Sequence, residues 1–552
     1  TPLYSSAASD VYKRQLEIFF REVGLARQHL DSYDEFIEKG LQKIVDEVKE
    51  IPITLPEAQY SIRLGKVTVG APRIIESSGA PHDIYPLEAK LRNLSYSSPI
   101  SLEMSEIREG RAHPPEKVHI GDIPVMLKSR ICNLSQLDQH ELSSKGEDPL
   151  DPGGYFVING SERVIVGLED LAPNRIITDE KDVGSYKLYT SKVFSSTVGY
   201  RTRVEVRLRG RNEALRIYLP GVATELPFIV VLKALGMESD REIAETVSPY
   251  PEVQELLQAS FDEATGIYAQ GDAVLYIGNR AAHGQAEPVR KRRAESLLDR
   301  VLLPHLDRSP SVRRNKAIFL CEMANRVLSL KLGWRSADDK DHYGNKRVRL
   351  AGPLLAELFR TAFRKMVSDI RYQLERTTFR RGYVKSIAGI VTTSIVTDRI
   401  SHAISTGNWG RNIVGITQLL DRTNYLSMLS HLRRIQSPLS RSQPNFEARD
   451  LHSTHWGRID PNETPEGSNC GLVKNLSLSA VLSVTVDSIE EVKKMSYTLG
   501  VVPFDQSSPE LRREGAKVFL DGTLLGFSPV DEALVSEVRR LRRRGKVPPD
   551  VN

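Results

Sequence analysis

The sequence contains few cysteines and no long apolar run. Its 552 residues include only 3 cysteines, Cys132, Cys321 and Cys470, which lie far apart and form no C-x-x-C pair. This spacing argues against a structural zinc site and against a disulfide framework. No apolar run approaches the roughly 18 residues that a membrane span requires. We therefore expect a cytoplasmic protein with no zinc in this chain and no membrane partner.

Self-sufficient catalytic motifs are also missing. The chain contains no P-loop, no G-x-S-x-G nucleophile elbow and no paired aspartates suited to caging magnesium. Asp338, Asp339 and Asp341 are clustered, but Lys340 between them and the cations that follow favour a turn held by internal ion pairs over a metal site. The sequence therefore shows no self-sufficient catalytic set, which is informative in a protein of this size.

Both ends of the sequence are abrupt. Residues 1 to 15 lack the apolar core of a signal peptide and resemble a translated cloning scar, so we expect them to be an artefact or disordered. The last residues, LRRRGKVPPDVN, stop on an extended Pro-Pro segment. We therefore expect a chain that is truncated at its C-terminus.

Size, composition and charge indicate a folded multidomain protein. A chain of 552 residues exceeds the size of one hydrophobic core, so we expect about three or four domains. Residues 341 to 450 hold 18 lysines and arginines against 8 aspartates and glutamates, a local charge of +10 in a chain whose net charge is +5. This asymmetry indicates a region that faces a polyanion, although a solvated basic face would show the same excess.

Periodicity and turn residues predict a mixture of helices and strands. The S-Y-D-E pattern at 32–35 predicts a capping box at the start of a helix. Asn-Gly turn chemistry predicts a type I′ hairpin within 155–166, and alternation predicts a second hairpin across 200–220. Apolar residues at three- and four-residue intervals predict a long helix over 353–376 and further helix within 418–435. The pattern is that of a mixed α/β protein.

The run HSTHWGRIDPNETPEGSNC is the most ambiguous stretch of the chain. His452 and His455 could be metal ligands, with Glu463, Glu466 and Cys470 completing the set. Two prolines make the run a loop, and its spacing matches no recognised ligand pattern, which disfavours a metal. The two glutamates could act as an acid and a base, but the sequence shows no apolar pocket that would divide these roles.

Three long motifs resemble the second-largest subunit of multisubunit DNA-directed RNA polymerases. They read DDKDHYGNKRVRLAGPLLAELFR, GNWGRNIVGITQLLDRTNYLSMLSHLRRIQSPL and HSTHWGRIDPNETPEGSNCGLVKNLSLSA, with shorter matches in DPGGYFVINGSERVIV and YIGNRAAHGQ. The motifs occur in the family's order, and their detail is most similar to the archaeal form of this subunit, the B double-prime type. The resemblance covers nearly everything after residue 16.

The resemblance implies a mixed α/β multidomain fold of RNA polymerase beta type, truncated at its C-terminus. The first part of a protrusion would occupy 16–178 and a lobe would occupy 179–340. The return of the protrusion would occupy 341–400 and a fork 401–476, while 477–552 would begin an external domain. The local excess of positive charge then falls on the return of the protrusion and on the fork.

The resemblance also implies an activity and a set of partners. The chain would be a nucleotidyltransferase subunit that is active only in the assembled polymerase and that forms one side of the DNA cleft and active-centre wall. Mg²⁺ would be ligated by the largest subunit, so we expect no catalytic residue in this chain. The partners would be template DNA, nascent RNA, ribonucleoside triphosphates, the largest subunit, the remaining half of the second-largest subunit and the assembly-platform subunits.

By the same resemblance, the residues that contact nucleic acid lie in the fork. Arginine side chains would bind phosphates and fix register without reading sequence. We also expect an arginine such as Arg434 or Arg441 to balance the charge of Glu466. The predicted nucleic-acid-binding residues are Arg411, Gln418, Asp421, Arg422, His431, Arg433, Arg434, Arg441, Glu466 and Asn469.

Other interpretations stay open from the sequence. A non-catalytic nucleic-acid-binding or scaffold protein could use the same fold, and an independent metalloenzyme could be built on His452 and His455. Arg434 could also tie the fork to the protrusion through an internal ion pair, as arginines often do.

Overall fold

The computed structural model describes residues 2–54, 59–76, 79–209, 213–381, 387–410, 413–484, 489–529, 531–548 and 551. The chain forms two compact units, and each unit combines two separate stretches of sequence. Unit 1 comprises residues 1–170 and 348–484, and unit 2 comprises residues 171–347 and 485–552. Both units mix helices and β-sheets, so the fold is mixed α/β and multidomain, as predicted.

The helices and strands follow one another along the whole described chain. The helices are α1 (Pro2–Glu22), α2 (Arg27–Glu35), α3 (Leu41–Asp46), α4 (Pro86–Leu91), α5 (Gln139–Ser144), α6 (Phe228–Ala234), α7 (Asp240–Val247), α8 (Pro251–Glu255), α9 (Gln258–Glu263), α10 (Gln270–Ala281), α11 (Glu287–Ser296), α12 (Arg313–Lys331), α13 (Ala351–Arg381), α14 (Ser394–Thr406), α15 (Tyr425–Leu432), α16 (Phe446–Arg449), α17 (Ile489–Thr498), α18 (Pro509–Glu514) and α19 (Asp531–Arg543). The strands are β1 (Glu50–Thr54), β2 (Gln59–Val69), β3 (Arg73–Ile75), β4 (Pro81–Asp83), β5 (Ser97–Arg108), β6 (Arg111–Ala112), β7 (Glu116–Pro124), β8 (Phe156–Ile158), β9 (Ser161–Ile165), β10 (Gly167–Leu171), β11 (Ile177–Val183), β12 (Tyr186–Thr197), β13 (Tyr200–Arg209), β14 (Leu215–Tyr218), β15 (Leu226–Pro227), β16 (Lys346–Arg349), β17 (Asn408–Gly410), β18 (Ile413–Val414), β19 (Thr417–Leu419), β20 (Arg434–Gln436), β21 (Val473–Asn475), β22 (Ala516–Leu520) and β23 (Thr523–Ser528).

Unit 1 is built around one larger sheet and two smaller ones. The larger sheet has the order β1-β2-β5-β6, with β7 also paired to β5. The long helix α13 packs beside it, and the rings of Phe359 and Phe36 meet edge to face with centroids 6.5 Å apart. The smaller sheets have the orders β8-β9-β19 and β16-β10-β20-β21. These two sheets carry Gln418 and Arg434, two of the residues that were predicted to contact nucleic acid.

Unit 2 is a five-stranded antiparallel sheet covered by helices. The strands lie in the order β11-β12-β13-β14-β15, and their apolar side chains share one core with α6 and α12. The hairpin β22–β23 joins this unit through a salt bridge of 2.5 Å between Lys517 and the buried Glu322 of α12. The unit therefore contains the whole predicted lobe segment together with the last part of the chain.

Several predicted elements are confirmed. Strands β8 and β9 pair antiparallel across Asn159 and Gly160, whose positive φ angles of 48° and 75° suit a type I′ turn. Strands β13 and β14 form the second hairpin, although its predicted turn at 210–212 lies outside the described residues. The predicted long helix is α13, which extends beyond the predicted bounds at both ends.

Three local predictions are wrong. The capping box at 32–35 does not form, because Ser32 lies inside α2 and its hydroxyl accepts a hydrogen bond of 3.0 Å from the backbone N–H of Gly352. The predicted helix within 418–435 is reduced to α15, because β19 pairs with β9 and Asn424 caps the helix only afterwards. Residues 2–15, which were predicted to be an artefact or disordered, are not disordered but belong to α1, which continues without a break to Glu22.

The aspartate cluster at 338–341 is held by internal contacts, as the sequence favoured. Asp338 accepts hydrogen bonds of 2.7 Å from both the backbone N–H and the hydroxyl of Thr178. Lys346 pairs with Asp341 at 2.9 Å. The carboxylates therefore stabilise a turn. Among the described helices, none is long and apolar enough to cross a membrane.

Candidate nucleic-acid interface

Three of the predicted fork residues lie on the two smaller sheets of unit 1 and on the helix between them, namely Gln418, His431 and Arg434. Strand β19 pairs antiparallel with β9, which places Gln418 opposite Val164. Helix α15 follows, and His431 lies in its last turn. Strand β20 then pairs parallel with β10 and antiparallel with β21, which places Arg434 opposite Asn475. Local pairing of strands thus brings Gln418, His431 and Arg434 into one region of the unit.

His431 on α15 is hydrogen-bonded to two groups at the end of β19, the side chain of Gln418 and the backbone of Asp421. Its Nδ1 accepts a hydrogen bond of 3.1 Å from the backbone N–H of Asp421. Its Nε2 lies 3.0 Å from Oε1 of Gln418, whose Nε2 donates to the backbone oxygen of Gly415 at 3.0 Å. Burial, and then the nearby positive charge of Arg434, lowers the pKa of His431 to about 4. The imidazole is therefore neutral at physiological pH.

Arg422 is bound within the protein, which differs from the predicted contact with phosphate. Its Nε donates to Glu162 at 2.6 Å, and its second amino group donates to Glu162, Asp151 and the hydroxyl of Tyr155 at 2.9, 3.0 and 2.8 Å. Its guanidinium also lies over the ring of Tyr155, 5.2 Å from the centroid. These partners are more than 250 residues away in sequence, so they could not be read from the local pattern.

Arg433 is also bound within the protein. Its side chain is buried and donates hydrogen bonds to three backbone oxygens, those of Leu25 at 3.0 Å, Ser477 at 2.6 Å and Leu478 at 3.2 Å. Burial lowers the pKa of this arginine. The side chain connects Leu25 with the residues that follow β21, so its donors serve the fold and differ from the predicted contact with nucleic acid.

Arg434 differs from both of these neighbours. It is half-buried, and its guanidinium makes no hydrogen bond or ion pair with any side chain or backbone group in the described part of the chain. Its charge lowers the pKa values of His431 and Asp421, which places it beside both. Asp421 is half-buried, and a hydrogen bond from the backbone N–H of Thr423 is the main cause of its lowered pKa. Arg434 is thus a cation held in place with its donors free.

The remaining predicted residues lie in exposed loops. Arg441 and Glu466 are exposed, and Asn469 is half-buried with its Oδ1 lacking a hydrogen-bond partner among the described residues. Glu466 makes no ion pair with any described cation, so its predicted pairing with Arg434 or Arg441 is wrong. Glu466 is exposed and precedes a short 3₁₀ turn, whereas Arg434 lies on β20, close to His431 of α15. Arg411 lies outside the described residues.

Sequence reasoning missed Arg449, which organises the loop that contains Glu466. Its five N–H donors reach five backbone oxygens in two segments of chain. The acceptors are the oxygens of Pro444, Ser468, Cys470, Arg441 and Gln443, at 2.9, 2.9, 2.8, 3.3 and 3.2 Å. A planar guanidinium suits such a fan of acceptors, whereas a lysine ammonium does not. No spacing in the sequence signals this arrangement.

A buried ion pair under the same region was also missed. Nζ of Lys474 lies 2.9 Å from Oε2 of Glu169, and the two side chains are only 6% and 4% exposed. The pair joins β21 to β10 across β20, the strand that begins with Arg434. A lysine inside an apolar run is the only sequence signal that could have indicated it.

The two histidines of the ambiguous run do not form a metal site with their neighbours. Their rings lie 6.3 Å apart, and Nδ1 of His452 is hydrogen-bonded to the hydroxyl of Thr454 at 2.6 Å. Within the described ranges, no group of three or more histidine, cysteine, aspartate or glutamate side chains could hold a metal ion. The run is a loop that turns through a short 3₁₀ segment at Ser453–His455.

Comparisons with known proteins agree with this architecture. Residues 24–398 match the family described as RNA polymerase beta subunit, and residues 418–482 match RNA polymerase Rpb2, domain 3. The chain is 46% identical to the DNA-directed RNA polymerase subunit Rpo2 of Saccharolobus shibatae, over 99% of this chain and 49% of that protein. It is 43% identical to subunit Rpo2N of Halobacterium salinarum and 44% identical to that of Methanothermobacter thermautotrophicus. These matches cover 89% and 88% of this chain and 96% and 98% of the relatives. The chain spans about half the length of the Rpo2 relatives and nearly all of the Rpo2N relatives.

Proposed function

The chain belongs to the RNA polymerase beta-subunit family, and from this premise we propose that it is a subunit of a DNA-directed RNA polymerase of archaeal type. In the assembled enzyme it forms one side of the DNA cleft and part of the active-centre wall. Its role is to hold template DNA and the RNA–DNA hybrid in register. The nucleotidyl transfer itself belongs to the assembly and not to this chain alone.

The observation that carries the proposal is the state of Arg434. Arginines that stabilise a fold use their donors within it, as Arg422 and Arg433 do here. Arg434 differs, because the strand pairing of β20 fixes its backbone while its guanidinium has no hydrogen-bond or ion-pair partner among the described residues. A planar fork of free donors on a rigid strand suits a phosphate of the nucleic-acid backbone.

Metal-dependent transfer requires a carboxylate cage, which we assign to the largest subunit. The described residues of this chain do not fit such a cage, because they contain no suitable group of ligands. This chain instead supplies cations and amides that orient the nucleic acid. Its further partners are ribonucleoside triphosphates, the remaining half of the second-largest subunit and the assembly-platform subunits, in the cytoplasm.

Replacing Arg434 with alanine should weaken retention of the RNA–DNA hybrid in the assembled enzyme. One lost phosphate contact should make the plot of log stability against log salt concentration shallower by about 0.9. At low salt the complex should dissociate roughly tenfold faster, the effect of losing one charge-assisted hydrogen bond. The measurement is the dissociation rate of stalled elongation complexes across a series of salt concentrations.

The matched control is Arg63→Ala. Arg63 is an exposed arginine of unit 1 on β2, and it has no side-chain partner among the described residues. This variant should keep the salt slope of the unsubstituted enzyme. If Arg434→Ala also kept that slope, the proposed contact with the backbone phosphate would be wrong.

A further inference from the structure

Three hydrogen bonds connect the backbone of Asp421 to the backbone of Gly415 through two side chains. The backbone N–H of Asp421 meets Nδ1 of His431, Nε2 of His431 meets Oε1 of Gln418, and Nε2 of Gln418 meets the oxygen of Gly415. The three distances are 3.1, 3.0 and 3.0 Å. The two ends of this series of hydrogen bonds are backbone groups, whose roles as donor and acceptor cannot change.

The fixed ends determine the direction of every bond between them. A backbone N–H only donates, so Nδ1 of His431 must accept and the ring proton must lie on Nε2. That proton must be donated to an acceptor, which fixes Oε1 of Gln418 on the His431 side. A backbone oxygen only accepts, so the amide nitrogen of Gln418 must face Gly415. Each assignment follows from the one before it, and the opposite amide orientation would break two bonds.

This arrangement leaves one N–H of Gln418 uncommitted. The amide nitrogen carries two hydrogens, and only one of them is used by Gly415. No acceptor for the second hydrogen is found among the described residues, and the side chain is half-buried at the surface of β19. The free donor lies near Arg434, whose charge acts on the same His431.

We propose that His431 is a positioning residue that locks the amide of Gln418, so that its free N–H is presented to an oxygen of the RNA sugar–phosphate backbone. The inference rests on the proposed function and assigns His431 a role distinct from direct contact. Every nucleotide carries oxygens of the sugar–phosphate backbone, so the contact is independent of base sequence, as a polymerase requires. Both the 2′-hydroxyl and a phosphate oxygen can accept this bond.

Histidine suits this position because its neutral ring offers one acceptor and one donor on opposite sides. A doubly protonated ring would point Nδ1–H at the N–H of Asp421, so two donors would face each other. Burial and Arg434 disfavour that state. The neutral ring, and with it this set of hydrogen bonds, is therefore favoured at neutral pH.

Two substitutions of His431 separate the acceptor at Nδ1 from the donor at Nε2. His431→Asn keeps an acceptor near Nδ1 but removes the donor to Gln418, whereas His431→Gln keeps a donor near Nε2. His431→Asn and Gln418→Ala should each shorten the half-life of the assembled elongation complex by about threefold to tenfold, the effect of one hydrogen bond. The double variant should be no worse than either single one, and His431→Gln should stay within about twofold of the unsubstituted enzyme.

RNAs with single 2′-deoxy substitutions identify the acceptor. If the acceptor is a 2′-hydroxyl, one deoxy position should reproduce the loss seen in Gln418→Ala and show no further loss in that variant. If the acceptor is a phosphate oxygen, no 2′-deoxy position should reproduce the loss seen in Gln418→Ala. The effects of His431→Asn and Gln418→Ala should still be non-additive. Either pattern supports the positioning role.

Additive effects of His431→Asn and Gln418→Ala, or no effect of Gln418→Ala, would overturn the inference. If Arg434→Ala still changed the salt slope, the proposed function would survive that failure. The ¹⁵N chemical shifts of the chain labelled at histidine provide an independent readout, which does not depend on whether a variant assembles. The signal that is lost in His431→Gln identifies His431. A bare Nδ1 and a protonated Nε2 at pH 7 are expected, and the opposite tautomer or an imidazolium would overturn the inference.

Discussion

Replacing Lys474 with methionine should destabilise unit 1 by about 3 to 5 kcal/mol, because it breaks a buried ion pair and removes a cationic partner of the Glu169 carboxylate. The pair lies almost wholly out of water, with exposures of 6% and 4%. Solvent can therefore neither screen the charge left on Glu169 nor hydrate it without opening the sheet. Denaturant unfolding of the chain should show the loss as a lower midpoint for unit 1.

The chain provides its own probe for this measurement. Of its three tryptophans, Trp409 is buried in unit 1, whereas Trp456 and Trp334 are exposed. The emission shift of Trp409 therefore reports unfolding of unit 1, and Trp334→Phe removes the signal from unit 2. The double variant Lys474→Met/Glu169→Leu is the control and should recover most of the loss. A double variant as unstable as the single one would show that the ion pair is not the cause.

Arg422→Ala should cost unit 1 about 2 to 3 kcal/mol, a smaller loss because the arginine is 40% exposed and partly screened. It leaves Glu162 and Asp151 without their shared cation. Burial alone would raise the pKa of each carboxyl, but hydrogen bonds, including those from Arg422, hold both pKa values below their usual range. Stability from such groups is present above the usual carboxyl pKa and is lost at lower pH. The deficit of the variant should thus be full at pH 7 and shrink as the pH falls through about 4.

The same variant tests the division of roles among the fork arginines. Because its donors serve the fold, Arg422→Ala should lower the unfolding midpoint while the salt slope of the assembled enzyme stays unchanged. Arg434→Ala should do the reverse, with a shallower salt slope and little change in stability. A shallower slope for Arg422→Ala would return this residue to the nucleic-acid contacts predicted from sequence.

Local sequence signals predicted the elements whose causes are local. The Asn-Gly turn of β8–β9 and the apolar spacing of α13 are fixed by a few neighbouring residues, and both elements form as predicted. The S-Y-D-E pattern failed for the opposite reason. The hydroxyl of Ser32 is used by Gly352, 320 residues later, and no local pattern contains that information.

The roles of the site residues divide in the same way. Motif resemblance indicated the fork segment, but it could not tell which of its arginines have donors that the fold leaves unused. Arg422, Arg433 and Arg434 lie close together in sequence, yet two of them are bound by partners up to 408 residues away. Lys474 and Arg449 gave no functional signal, because their partners are a distant carboxylate and a set of backbone oxygens.

The most direct test of the account is template-directed incorporation of ribonucleotides. The purified chain, with Mg²⁺, template and primer RNA, should incorporate nothing. An assembly that contains this chain, the largest subunit, the rest of the second-largest subunit and the platform subunits should extend the RNA, and the same assembly without this chain should not. Extension by the chain alone, or full extension by an assembly that lacks it, would contradict the account.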